Sequence, residues 1–293
     1  MPVFERHGYK LYFEDQGTGT PLLFLHEFGG DTRSWRQQID HFSGDYRCLA
    51  LSCRGYPPSE VPDCESAYGW QENIDDAMAL LDHLALASVH VVGLSMGAYS
   101  GLMMAMKQPD RILSLVAASG GSGAFPPSRQ DFIDSCLHLA SVASNSPNMP
   151  ADHMAYNPAR VQLRQKNRAA WDEFYAQLNE HPGFGSGMTQ KYVQAARPSL
   201  HDFGAELSAL TTPVLLIVGD EDDACLDTNL WLKRAMPLAG LSVWPKSGHL
   251  LNLEDPPRFN AEIAAFHRLI AGGNWPNRHE LLTRHAPPDG AIF

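Results

Sequence analysis

The sequence predicts an α/β fold: a mostly parallel, twisted sheet with helices on both faces, interrupted once by a helical cap. Three observations predict it. Short, continuously apolar runs recur along the chain, segments with helical spacing separate them, and one long stretch, about 121–207, lacks such runs. A run that is apolar over its whole length suits a strand covered on both faces, as strands of parallel sheets are. Strand and helix in alternation give β-α crossovers and place helices on both sides of the sheet.

The chain opens with Val3 to Arg6 and Lys10 to Glu14 around His7-Gly8-Tyr9, roughly alternating polar and apolar like a hairpin. Pro21-Leu22-Leu23-Phe24-Leu25 is the first apolar run and stops at His26. Cys48 to Leu51, Val89 to Val92, Ile112 to Val116 and Val214 to Val218 repeat it, and Leu241 to Trp244 does so more weakly. Helical spacing fills the intervals at Ser34 to Phe42, Tyr68 to Leu86, Ala98 to Lys107, Asp227 to Met236 and Pro257 to Leu269. In the strand-free stretch, amphipathic helices are expected around Phe132 to Val142 and Arg160 to Leu178. Ligands of open α/β sheets bind outside the strands' C-terminal edge, so a cap there would cover the site. A helical decoration remote from the chemistry is the alternative. The chain therefore reads as a single domain, 1–293, with a cap at 121–207 and a tail at 274–293. The tail contains Pro276, Pro287 and Pro288 and is open to three roles: a docked arm, a homo-oligomer contact or a frayed end.

Composition narrows the partners. The net charge of −11 repels phosphate backbones and anionic lipid headgroups, which argues against nucleic acid and membrane surfaces. Five scattered cysteines (Cys48, Cys53, Cys64, Cys136, Cys225) form no C-x-x-C pair and suit reduced thiols in a cytoplasmic compartment. The first residues carry no apolar signal region, and no stretch approaches a membrane span. A small-molecule substrate is the expected partner.

The chemistry concentrates at three strand ends. Gly93-Leu94-Ser95-Met96-Gly97 is the one G-x-S-x-G, directly after the run Val89 to Val92 and directly before a helical segment. Three fixed positions match by chance at roughly 0.1 per chain of this size, and the strand-before, helix-after context removes most such accidents. A sharp strand-to-helix turn strains the serine backbone, and anything larger than glycine at 93 or 97 would crowd it. It lifts the hydroxyl above the sheet and turns the Met96 N–H toward a developing oxyanion. A serine nucleophile needs a base, and the base needs an orienting carboxylate. After the cap, Gly219-Asp220-Glu221-Asp222-Asp223 ends one strand and Ser247-Gly248-His249 ends the next. Ser95, an acid of this cluster and His249 can thus converge at the sheet's C-terminal side, in the order Ser, Asp, His.

These motifs resemble those of the α/β-hydrolase family over about Tyr12 to Leu269. Val-Gly-Leu-Ser95-Met-Gly is similar to its nucleophile elbow, and Ser-Gly-His249-Leu-Leu-Asn-Leu-Glu-Asp-Pro256 to its histidine loop. Gly219-Asp-Glu-Asp222 is similar to its G-x-x-D acid turn, which favours Asp222 over Asp220 and Asp223. Arg54-Gly55 resembles its R-G turn. His26-Glu27-Phe28-Gly29-Gly30 resembles its H-G-x-G loop, in which the residue at Phe28 donates the second oxyanion N–H. The resemblance implies a triad of Ser95, Asp222 and His249, an oxyanion hole of the Phe28 and Met96 N–H groups, and no metal or cofactor. His26, Glu27 and Leu250 adjoin this machinery and are candidate substrate contacts. Arg164, Arg168 and Arg197 are candidates for binding a substrate carboxylate, against the alternative of solvated faces.

Two positions depart from the family pattern. Ser52 stands where an Asp commonly precedes the R-G turn, and Glu27 stands where Gly is usual. A carboxylate about 6 Å from the oxyanion, at an effective dielectric of about 20, would cost roughly 2.8 kcal/mol. Glu27 is therefore expected to be paired, with Arg54 or Arg33 nearest by loop placement, or to face the substrate. A serine nucleophile argues against the haloalkane dehalogenase and epoxide hydrolase branches. Small carboxylic esters or lactones are the preferred substrates. Hydrolysis of a C–C bond beside a ketone or of an amide is the alternative, and a non-catalytic ligand receptor is a third. The C–C branch usually carries Trp after the histidine and G-P-G in the oxyanion loop, whereas this chain has Leu250 and Gly29-Gly30-Asp31.

Overall fold

A computed structural model describes residues 2–278, 280 and 281. Its sheet has eight strands: β1 (Val3–Arg6), β2 (Tyr9–Gln16), β3 (Thr20–Leu25), β4 (Tyr46–Leu51), β5 (Val89–Leu94), β6 (Ile112–Ala118), β7 (Val214–Gly219) and β8 (Ala239–Trp244). They lie in the order β1-β2-β4-β3-β5-β6-β7-β8. The β1–β2 and β2–β4 pairs are antiparallel, and the other five pairs are parallel.

Every residue of β7 is buried, as are the last four of β3, β4 and β5. Successive side chains leave a strand on opposite faces. Leu23 and Leu25 accordingly join one core with Ile74, Leu81 and Leu102, while Leu22 and Phe24 join the other with Trp35, Ile39 and Phe259. Helices α1 (Arg36–Phe42), α2 (Trp70–His83) and α3 (Met96–Lys107) thus take opposite sides of the sheet. Between β6 and β7 the chain forms helices and turns, with one isolated antiparallel bridge between Asn148 and Pro182: α4 (Arg129–Ser144), α5 (Ala151–Ala155), α6 (Val161–Lys166), α7 (Arg168–Glu180), α8 (Gly183–Met188), a π-turn at Thr189–Ala195 and α9 (Gly204–Ser208). Helices α10 (Asp223–Ala235), α11 (Leu251–Glu254) and α12 (Pro256–Ala271) follow. No helix among the described residues is long and apolar enough to cross a membrane.

Two helices differ from the sequence expectation. The segment expected as one helix from Arg160 divides at Asn167, whose side chain accepts from the Ala170 N–H and donates to the Leu253 carbonyl. Asparagine competes with the helical ladder through such bonds and caps the helix that follows. The helix expected from Asp227 begins four residues earlier, at Asp223, because Asp222 turns the chain out of β7 and its carbonyl receives the Cys225 and Leu226 N–H groups. The described start of the tail is docked: the Trp275 indole donates to the Leu238 carbonyl at 2.8 Å and meets Phe266 edge-on. A side chain at Gly240 would collide with the Trp275 ring. Residues 282–293 of the tail lie outside the described residues.

Candidate active site

Ser95 stands alone between the end of β5 and the first residue of α3, at φ 54° and ψ −106°. A non-glycine residue at positive φ outside a helix stores strain, which persists only where the surroundings impose it. They do so here: the Ser95 N–H donates to the Ala118 carbonyl at 2.8 Å, and the Ser95 carbonyl receives the Tyr99 N–H at 3.0 Å. A Cβ at Gly97 would collide with the Leu25 carbonyl, and one at Gly93 with the Gly97 carbonyl. Both glycines are there because backbone passes within contact distance of backbone.

His249 is buried, and its Nδ1 donates to Asp222 Oδ2 at 2.7 Å. Asp220 instead receives the Ser247 N–H at 3.3 Å, and Asp223 is exposed in the first turn of α10. The histidine loop is tied to the cap. The His249 N–H donates to the Ala159 carbonyl at 2.6 Å, and the Gly248 N–H donates to both oxygens of Glu254 at 3.0 and 3.1 Å. No hydrogen bond joins Ser95 Oγ to His249 Nε2 among the described residues. Contacts of this kind tighten when substrate is bound.

Ser95, Asp222, His249 and Phe28 line one cavity of about 230 Å³, roofed by cap residues that include Phe132, Leu139, Met154 and Arg160. A neighbouring cavity of about 450 Å³ shares Ser135, Leu139, Met154 and Asn157 with it, between α4 and α5. Met96 opens α3, where the first-turn N–H groups lack helical partners. One set of metal-type donors lies close together among the described residues, Asp222, Cys225 and His249, within 4.8 Å of one another. Two of these already bond each other, and Cys225 Sγ lies 3.1 Å from Ser122 Oγ and 3.2 Å from the Ser119 carbonyl.

The candidate substrate contacts His26, Glu27 and Leu250 are buried and do not line this cavity. His26 ties two loops together, with Nδ1 against the Glu27 carbonyl at 2.7 Å and Nε2 accepting the Cys53 N–H at 3.0 Å. Leu250 packs in the apolar core on the α12 side of the sheet. The expected pairing of Glu27 with Arg54 or Arg33 is not what forms. Arg54 is bidentate to Asp76, and Arg33 grips Asp31 and Glu180. Arg164 and Arg168 stack on Trp171, and Arg168 also pairs with Asp172. Arg197 is buried between Tyr99 and Phe132 and donates to the Ser122 carbonyl.

Sequence reasoning missed the arginine that does reach the cavity. Arg160 is buried at the start of α6, and its Nε has no hydrogen-bond partner. Burial pulls its pKa below the usual arginine range, while Glu27 and Asp222 draw it up. Its spacing of four from Arg164 and eight from Arg168 was visible, but nothing local says which of the three points inward. Gln190 and Gln194 on the π-turn also line the cavity, four residues apart and buried. A lone π-turn is common at functional sites.

The family model of the α/β hydrolase fold matches residues 20–256. A 2-hydroxy-6-oxononadienedioate/2-hydroxy-6-oxononatrienedioate hydrolase of Burkholderia vietnamiensis is 27% identical over 270 residues, covering 88% of this chain and 91% of that protein. Among solved structures, an esterase from Thermogutta terrifontis superimposes with a TM-score of 0.80 at 24% identity, covering 92% of this chain and 97% of that one. The enol-lactonase from Burkholderia xenovorans gives 0.72 at 20% identity, over 91% and 100% respectively. Sheet order, serine turn and family match agree, and the chain belongs to the α/β-hydrolase fold family.

Proposed function

We propose that the protein is a serine hydrolase that cleaves a small carboxylic ester or lactone through an acyl-enzyme on Ser95. Ser95 Oγ attacks the acyl carbonyl while His249 Nε2 takes its proton. Asp222 holds the imidazole and stabilises the imidazolium. The oxyanion is received by the Phe28 and Met96 N–H groups. The leaving oxygen takes the proton from His249, and water then releases the acid by the same steps in reverse. The observation that carries this reading is the buried His249–Asp222 pair opening, with strained Ser95, onto one cavity.

Arg160 adds a feature to the substrate. A guanidinium buried in the cavity wall with an orphaned Nε favours a ligand carrying its own carboxylate. The same residue supports the second reading, C–C hydrolysis of an acidic diketone, since relatives sharing about a quarter of the residues are named as dioate hydrolases. All five cysteines are unpaired, in keeping with the cytoplasm as its compartment.

A serine-directed phosphonate should add its mass to the Ser95 peptide, and Ser95→Ala should lower turnover about 10⁴-fold or more with the fold retained. Labelling elsewhere, or normal activity in Ser95→Ala, overturns the reading. Rates on matched esters, lactones and vinylogous diketones then separate the two substrate classes.

A further inference from the structure

Glu27 sits between His26 and Phe28, in the loop that delivers the Phe28 N–H, and it is fully buried. Its carboxyl folds back over Gly30, where a Cβ would lie 2.6 Å from the carboxyl carbon. Its own backbone N–H bears on the carboxyl, Oε1 receives a long bond from Ser34 Oγ at 3.5 Å, and Oε2 has no partner. The charged and titratable groups facing it are Arg160 from the cap, Asp31 from its own loop and the Tyr56 hydroxyl. Arg160 forms no ion pair with it among the described residues, Asp31 repels it, and Tyr56 is a neutral phenol. A buried carboxylate with an orphaned oxygen and no ion pair is a costly arrangement, whereas the neutral acid is not.

We propose that Glu27 works as a protonated carboxylic acid, a neutral brace of the oxyanion loop, and that its ionisation turns the enzyme down on the alkaline side. This rests on Ser95 forming an oxyanion at the Phe28 N–H. With a proton on Glu27, this position adds no negative charge beside the hole. Without it, an unpaired negative charge in the residue next to the Phe28 N–H disfavours the developing oxyanion. Burial pushes the Glu27 acid up to about 7, with Asp31 adding to the rise and its own backbone N–H, Arg160 and Ser34 opposing it. The transition therefore falls in the range where an ordinary histidine-based hydrolase has reached its plateau. Glu27 is a positioning residue, so its signature is a pH profile and not simple loss of rate.

The experiment is kcat/KM against a p-nitrophenyl ester from about pH 5.5 to about pH 9.5, for the wild type, Glu27→Gln and Glu27→Gly. The wild type is expected to fall tenfold or more above neutrality. Both variants should stay flat there, whatever their acid-side rates. An alkaline decline that survives in a folded Glu27→Gln or Glu27→Gly overturns the proposal, while Ser95→Ala still reports on the serine mechanism. Infrared difference spectra of the whole protein provide a readout independent of turnover. A protonated-carboxyl band should be present in acid, vanish through neutrality and be missing from Glu27→Gln. A wild type whose Glu27 carboxylate is already ionised at about pH 5.5 overturns the proposal whatever the variants or the ester do.

Discussion

Lys166, in the cap, reaches Glu254, in the helix after the histidine loop: Nζ lies 3.0 Å from Oε2, and the same ammonium donates to Ser247 Oγ at 2.6 Å. Glu254 in turn receives the Gly248 N–H on both oxygens. One buried carboxylate thus holds the residue before His249, and one cap lysine holds that carboxylate. Burial raises the Glu254 acid above its usual range against the pull of Lys166 and the Gly248 N–H. Lys166→Met removes the cation and keeps the stem. With Lys166 about a third exposed, the expected loss is about 1–2 kcal/mol in urea unfolding, with kcat/KM lowered about tenfold as the histidine loop loosens. Adding Glu254→Gln should recover part of the stability, and a double-mutant cycle measures the coupling. Strict additivity would show that the pair does not hold the loop.

A second prediction separates the clustered acids. Asp222→Asn should lower kcat by about 10⁴-fold, because the amide cannot accept the His249 Nδ1–H as a carboxylate does. Asp220→Asn keeps an acceptor for the Ser247 N–H, and Asp223 is exposed, so both variants should stay within about threefold of wild type. Comparable losses at Asp220 or Asp223 would move the orienting role away from Asp222.

How far the sequence carried this depended on how local each signal was. The parallel strands were legible because each is buried on both faces and so apolar throughout, as Val214 to Val218 is. The serine turn was legible because its glycines answer to backbone contacts made within the turn and with the adjoining strand. The surroundings of Glu27 were not. Arg54 and Arg33 are near it along the chain, but each had nearer acids, Asp76 and Asp31. The cation that does act on Glu27 is Arg160, from the cap more than a hundred residues away. Cap placement is a tertiary property, and no local pattern distinguishes Arg160 from Arg164 or Arg168.

The last prediction lies at the opposite end of β5 from Ser95. The rings of His90, on β5, and His267, on α12, are 4.4 Å apart. His90 Nδ1 bonds Ser114 Oγ at 2.7 Å, and His267 Nδ1 bonds the Tyr46 hydroxyl at 3.1 Å. Burial lowers His90 to about 4 and His267 to about 3, the latter also repelled by His90. Both values lie below the ordinary histidine value of about 6.5, so between them the unfolded chain binds more protons than the folded one. Stability is therefore full above about pH 6.5 and falls as the pH drops toward 4. At pH 5 each ring costs about 2 kcal/mol, since a tenfold difference in proton affinity is worth about 1.4 kcal/mol. His267→Leu removes one of these groups and the repulsion on the other. The fall in unfolding free energy between pH 7 and pH 5, measured by urea titration, should shrink by about 2 kcal/mol in this variant. His26 and His181, also buried with lowered values, leave a residual slope. An unchanged difference between the two pH values would mean that His267 takes up its proton in the folded state as readily as in the unfolded one.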